Sequence, residues 1–477
     1  MPYLYKCNPS SNLEYSIPRA VLRKYLWSSA LAAVVASTPL LVGNAAWAEK
    51  AKNDRAVRLL ATVPIPPTKA NNTAAGLYSF DISWVDQASR TYYLADRSNF
   101  SVDVVDTTSN LLITQLSGDF AGFTACSPPA GANDCAGPNG VATSANCIFV
   151  TDAPSRVVSF NKATLTLVNS VKTDPTDPTR ADELAVDPKD SLILAINNAS
   201  KPAPYGTFIK FDPAKCTLTT PVPATDRITF DLAHGVNATN GVEQPIWDPG
   251  TKKFYLSIPQ IAGVAEDGAV IRINPTTKKL DNPGATYGIK FCSPAGLTLG
   301  PNEDVLVGCN LVFNSAGKPW TATDPITAAP IYVILNVKTG DQDQVPGAGV
   351  GDEVWYNKGD NNYYTAASTS PLRPLDITPP PPVPTLTAQG AAILGVIDAK
   401  DEKVLQLVPT FNVPAVTTGP DSGKHPAGTA HSVAADAKNN HIFVPLAANN
   451  VYPDCTTGCI AVYWHGDEDE PGEAALP

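Results

Sequence analysis

From about residue 57 onward, apolar residues fall in short alternating runs broken by clusters of Asp, Asn, Pro, Gly and Lys. A period of two punctuated by turn residues predicts strands rather than amphipathic helices. Seven segments share one layout. They are FDISWVDQASRTYYLAD from Phe80, PNGVATSANCIFVTD from Pro138, ADELAVDPKDSLILAIN from Ala181 and VEQPIWDPGTKKFYLSI from Val242. PAGLTLGPNEDVLVGCN from Pro294, GDEVWYNKGDNNYYTAA from Gly351 and TAHSVAADAKNNHIFVPLAAN from Thr429 complete the set. Each reads as a strand, a tight turn and a second strand.

Most copies continue into two further strands around a turn centred on Asp or Asn, as in SVDVVDTTSNLLITQL, RVVSFNKATLTLVNSV, GTFIKFDPAKCTLTTPV, AVIRINPTTKKL and ILGVIDAKDEKVLQLV. Four-stranded antiparallel units in tandem predict an all-β chain folded as a seven-bladed β-propeller. The seventh copy ends at CIAVYWHGDEDE with no outer strand, whereas residues 57–66, VRLLATVPIP, have the outer-strand pattern and no blade of their own. The N-terminal strand is therefore expected to complete the last blade and leave no open sheet edge. On this reading residues 49–466 form one propeller domain and residues 467–477 an acidic, solvated tail.

VIDAKDEKVLQLVPT and VVDTTSNLLITQLSG resemble the repeat of YVTN or YncE-like seven-bladed propellers. The chain is more loosely similar to the wider group of NHL-repeat, SMP-30/gluconolactonase and streptogramin-lyase propellers. The resemblance implies the fold across nearly the whole mature chain. In its lactonase and lyase members it implies chemistry at a metal site facing one end of the channel. No individual residue carries over, because those lactonases have six blades and this chain has seven.

In such a ring the first strand of each blade lines the channel, so equivalent positions meet near the axis. Aligned on the turn residues Asp86, Ser144, Asp187, Asp248, Gly300, Asn357 and Asp436, the residues five earlier are Asp81, Asn139, Asp182, Glu243, Ala295, Asp352 and His431. Four carboxylates with no Lys or Arg at these positions should repel one another unless some are protonated or a cation sits between them. Oxygen donors with one amide suit Ca²⁺, and His431 admits Mn²⁺, Fe²⁺ or Zn²⁺. Asp81, Asn139, Asp182, Glu243 and Asp352 are thus the candidate metal ligands, with His431 or Glu353 as general acid or base. The bland alternative is that these strand-head groups cap backbone amides or hold channel water.

The next row contains Glu183, Gln244, Glu353 and Ser432, and strand alternation lets only one of the two rows point straight into the channel. His234 and His425 lie in connections leading to first strands, on the face of His431. Insertions from Val312 and from Ser368 open on the same face, which makes Trp320 and Arg373 candidate substrate contacts together with Glu183, Gln244, His234 and His425. Two readings stand. One is a metal-dependent hydrolase or lyase acting on a small oxygen-rich molecule such as a lactone. The other is a non-enzymatic propeller that binds a ligand or a protein partner, its channel holding a structural cation or water.

Composition changes the picture in two places. The 45 Pro and 32 Gly with only 17% charged residues suit short strands and turns, and 43% hydrophobic residues suffice for a core. Residues 1–48 combine RAVLRK, an apolar stretch and NAAWA, the layout of a Sec-type signal peptide, so a periplasmic or secreted monomer is expected. Their removal takes away four cations and one carboxylate and moves the formal net charge from −11 to −14. So acidic a chain is unsuited to nucleic acid, and the cleaved leader leaves no membrane insertion.

Beyond Cys7 there are eight cysteines, an even number that favours disulfides in an exported chain. Cys292 and Cys309 lie at equal distances from the Gly300-Pro301 turn and should pair across a hairpin. Cys126–Cys135 and Cys455–Cys459 are short loop closures, which leaves Cys147–Cys216. The chain contains no GxSxG, Walker A, HExxH or CxxCH motif.

Overall fold

The repeated Asp or Asn makes most of the hairpin turns. Asp86 Oδ1 accepts the amides of Ala88 and Ser89 at 2.9 and 3.0 Å, and Asp106, Asn161, Asp187, Asn274, Asn336 and Asp398 bond the same two following amides. The residue four positions after each is left-handed: Arg90, Asn110, Leu165, Ser191, Lys278, Gly340 and Glu402 have φ between 51° and 83°. A short acceptor side chain that bonds forward and one left-handed residue reverse the chain in five residues.

The computed structural model describes residues 56–73, 76–124, 126, 133–321, 324, 332–347, 351–367, 392–410, 430–448 and 452–465. They form an all-β, seven-bladed propeller of seven antiparallel sheets. The first strands are Ser83–Asp86, Val141–Ser144, Leu184–Asp187, Pro245–Asp248, Cys292–Leu299, Glu353–Asn357 and Ala434–Asp436. Each first strand contacts those of both neighbouring blades, including blade one with blade seven. Among the described residues no helix is long and apolar enough to cross a membrane.

The ring closes as the orphan strand requires. Arg58–Pro64 pairs antiparallel with Cys459–Trp464, from Arg58 opposite Trp464 to Pro64 opposite Cys459. The core lies between blades, not within them. Tyr93 and Val104 of blade one pack with Val141 and Ile148 of blade two, and Phe208 of blade three packs with Phe254 and Leu256 of blade four. Second strands such as Thr91–Asp96, Cys147–Asp152 and Leu192–Asn197 are buried along their whole length, being covered on both faces.

Two outer strands differ from the sequence pattern. TLTTPV was expected to finish blade three, but the outer strand there is Arg227–Thr229, and the earlier segment makes a single bridge, Phe211 to Leu218. Pro221 and Pro223 lack the amides a ladder needs, and Cys216 is tied sideways to Cys147 of blade two. In blade four, Lys279–Leu280 and Thr286–Lys290 share the outer edge of Asp267–Asn274, with Pro283 between them. All four expected disulfides form: Cys126–Cys135, Cys147–Cys216, Cys292–Cys309 and Cys455–Cys459. The leader, His425, Arg373 and residues 467–477 lie outside the described residues.

Candidate functional site

Backbone bonds between strand heads bring the aligned positions together. Ile82 N–H donates to Asn139 O at 3.1 Å, Gly140 to Asp182 O at 2.8 Å and Gly296 to Asp352 O at 2.7 Å. Blades two and five carry glycine where others carry Glu183, Gln244 or Glu353. A Cβ on Gly296 would lie 2.1 Å from the Asp352 oxygen, so the close approach requires glycine there.

Asp81, Asp182, Glu243, Asp352 and His431 then line one cavity of about 400 Å³ at the channel mouth. Asn139 is fully buried behind it. The mouth also contains what the repeat alignment left out, namely Arg97 and Arg180. Arg97 forms an ion pair with Asp81 and donates to Asn139 Oδ1 from Nε at 3.0 Å. Arg180 reaches Asp182 Oδ2 at 3.0 Å and Asp81 Oδ2 at 3.7 Å. The expectation of carboxylates without Lys or Arg is thereby corrected. Both arginines sit on connections, one just past the strand end at Asp96 and one just before Ala181, so aligning strands alone misses them.

His431 closes the ring between blades. Its Nε2 lies 3.0 Å from Asp81 Oδ1 and its Nδ1 3.3 Å from Asp352 Oδ2. Burial opposes its charge, but Asp352 and Asp81 outweigh burial and push its pKa up to about 9. It is therefore imidazolium at neutral pH, hydrogen-bonded through Nε2 to Asp81 and ion-paired through Nδ1 with Asp352. Asp81 is the hub. Burial works against its charge, yet Arg97, His431 and Arg180 hold its carboxyl far below the usual range. Burial carries Asp182 up to about 6 against the pull of Arg180. Burial and neighbouring carboxylates raise Glu183, Glu243 and Glu353 well above the usual carboxylate range, with Asp352 the largest neighbour of Glu353.

The charged groups divide by exposure. The side chains of Asp81, Arg97 and Asp182 are 8%, 5% and 5% exposed, whereas Arg180, His431 and Asp352 are 13%, 29% and 33% exposed. A buried clasp thus joins the blades, and a charged edge of both signs faces the cavity. For a metal ion, the first requirement is available donor atoms. Asp81 is shared among three cations, and both His431 nitrogens face carboxylates. Among the described residues, no group of three or more His, Cys, Asp or Glu side chains has a metal-holding arrangement. In this conformation the donor atoms of Asp81 and His431 are taken up by those partners.

The second row forms a partition. Glu183 and Glu353 line both the mouth and a deeper cavity, while Gln244 lines only the deeper one. Gln244 Nε2 donates to Glu353 Oε2 at 2.9 Å. Ser432 Oγ accepts the Ser83 amide at 2.8 Å. Two other described candidates lie elsewhere. His234 is exposed and paired with Asp231 at 2.6 Å, and Trp320 is buried in the core around blade five. The second-strand end Asp96 is buried beside Asp103. Burial and Asp103 raise its carboxyl well above the usual range.

No family model matches the chain, and no curated protein matches it. Among solved structures it is similar to Kuenenia stuttgartiensis hydrazine synthase, with a TM-score of 0.54 and 10% identity over 84% of this chain and 99% of that chain. At that identity the likeness supports the propeller fold alone.

Proposed function

We propose that this is an exported propeller that binds a small oxygen-rich molecule, of the hydroxy-acid or lactone kind, in the mouth cavity. One observation carries the reading: the solvent-facing edge of Arg180, His431 and Asp352 lines a cavity of about 400 Å³. That volume suits a small ligand. Arg180 and His431 are donors for a carboxylate or carbonyl, and Asp352 accepts from a hydroxyl. Four disulfides suit an oxidising compartment and support export. The repeat's resemblance to YVTN or YncE-like propellers is kept as the proposed subgroup.

Hydrolase or lyase chemistry on the same ligand is the second reading, and the imidazolium of His431 favours it. In its resting state His431 is a proton donor, so it would act as general acid with a mouth carboxylate as base. A divalent-metal mechanism is the competing proposal, and it requires Asp81 and His431 to exchange their present partners.

A panel of hydroxy acids and their lactones, screened by thermal shift and titration calorimetry, tests the binding. At least one member should bind saturably and lose about tenfold in affinity in His431→Gln. The variant should keep the wild-type circular dichroism. Saturable binding that His431→Gln and Asp352→Asn leave unchanged would remove the mouth from the account.

A further inference from the structure

Past the partition the channel changes character. A second cavity of about 450 Å³ extends from Glu183 and Glu353 to Gln87 and Lys358 on the turns of the opposite face. Trp84, Trp247, Trp355 and Tyr356 are in its wall. Trp84 and Trp355 meet edge to face at 5.2 Å, and Trp84 Nε1 donates to Thr143 Oγ1 at 3.0 Å. Trp247 rests on Phe254 at 4.8 Å. These contacts hold three indoles around one space with their rotamers fixed by neighbours.

The head of this cavity is acidic and incompletely paired. Glu183 is 7% exposed, and its Oε2 has no hydrogen-bond partner. Glu353, 3% exposed, accepts from Gln244. The nearby arginines are already engaged, Arg97 by Asp81 and Arg180 by Asp182 and Asp81. A buried carboxyl oxygen without a partner is costly, and a cationic donor would relieve that cost.

We propose that this half of the channel binds an organic ammonium ion, its charged head at Glu183 and Glu353 and its apolar body among Trp84, Trp247 and Trp355. Aromatic walls attract a cation through their ring quadrupoles and also accept its hydrocarbon. A neutral apolar guest would leave Glu183 Oε2 unpaired. A bare metal ion would find indoles where it needs oxygen ligands. Lys358 stands exposed at the far rim, so the ion enters past one cation to reach two carboxyls. This site does not depend on the mouth reading, and hydroxy acids should not compete for it.

The probe is phenethylammonium, with uncharged phenethyl alcohol as its matched control. Tryptophan fluorescence and calorimetry on the full chain should show saturable binding of the ammonium, about tenfold or more tighter than the alcohol. Glu183→Gln should bring the two to similar affinities, and Trp247→Leu should weaken both. The ammonium-to-alcohol comparison on the wild-type chain needs no variant, and Glu353→Gln repeats the test should Glu183→Gln fail to fold. Equal affinity of the two probes, or displacement of the ammonium by micromolar Ca²⁺, would overturn the proposal.

Discussion

Asp81→Ala should cost the propeller about 3–5 kcal/mol, the loss expected when one partner of a buried ion pair is removed. Three cations converge on this carboxylate from different parts of the chain. Arg97 follows the second strand of blade one, Arg180 precedes blade three, and His431 heads blade seven. With alanine at 81, Arg97 keeps its bond to Asn139, Arg180 its pair with Asp182 and His431 its pair with Asp352. Asp81→Asn should cost less, because an amide still accepts from Arg97. Urea unfolding measures both. A loss below about 1 kcal/mol for alanine would place the network with solvent-screened surface pairs and remove the clasp from the account.

The second large effect concerns Cys147 and Cys216, which join blade two to the segment that fails to become blade three's outer strand. The two are 69 residues apart with Cα atoms 5.3 Å apart. Loop-closure entropy for that separation corresponds to about 4 kcal/mol. The double variant Cys147→Ala, Cys216→Ala is the suitable test, since both sites are fully buried and serine would add an unpaired hydroxyl. Its urea midpoint should fall well below that of Cys455→Ala, Cys459→Ala, whose cysteines are only 4 residues apart. Equal midpoints for the two double variants would contradict this ordering.

The fold was legible because its determinants are local and repeated. An Asp or Asn that bonds the next turn and a left-handed residue four positions on recur often enough to count blades. The unpaired VRLLATVPIP strand shows how the ring closes. Departures occur where a constraint from elsewhere intervenes, as where Cys216 is pulled toward Cys147 while Pro221 and Pro223 withhold amides.

The site was legible only on its strands. Repeat symmetry predicts that Asp81, Asp182, Glu243, Asp352 and His431 meet, and they do. It says nothing of Arg97 and Arg180, which lie on connections outside the aligned strands. A tally of charge over every mouth-face connection, not only the aligned positions, would have raised both. The aromatic half of the channel was written in Trp84, Trp247 and Trp355. No strand-head alignment draws attention to them, because apolar channel residues read as core.

The state of His431 tests the clasp most directly. Its folded pKa is raised above the ordinary 6.5, so its contribution to stability is full below that value and is lost as pH rises through about 9. Ring-nitrogen NMR across this range should show one of the five histidines titrating near 9. That resonance should be absent in His431→Gln and unmoved by Ca²⁺, Zn²⁺ or chelator. A midpoint near 6.5, or a shift produced by a divalent ion, would contradict the account and favour a metal at the ring instead.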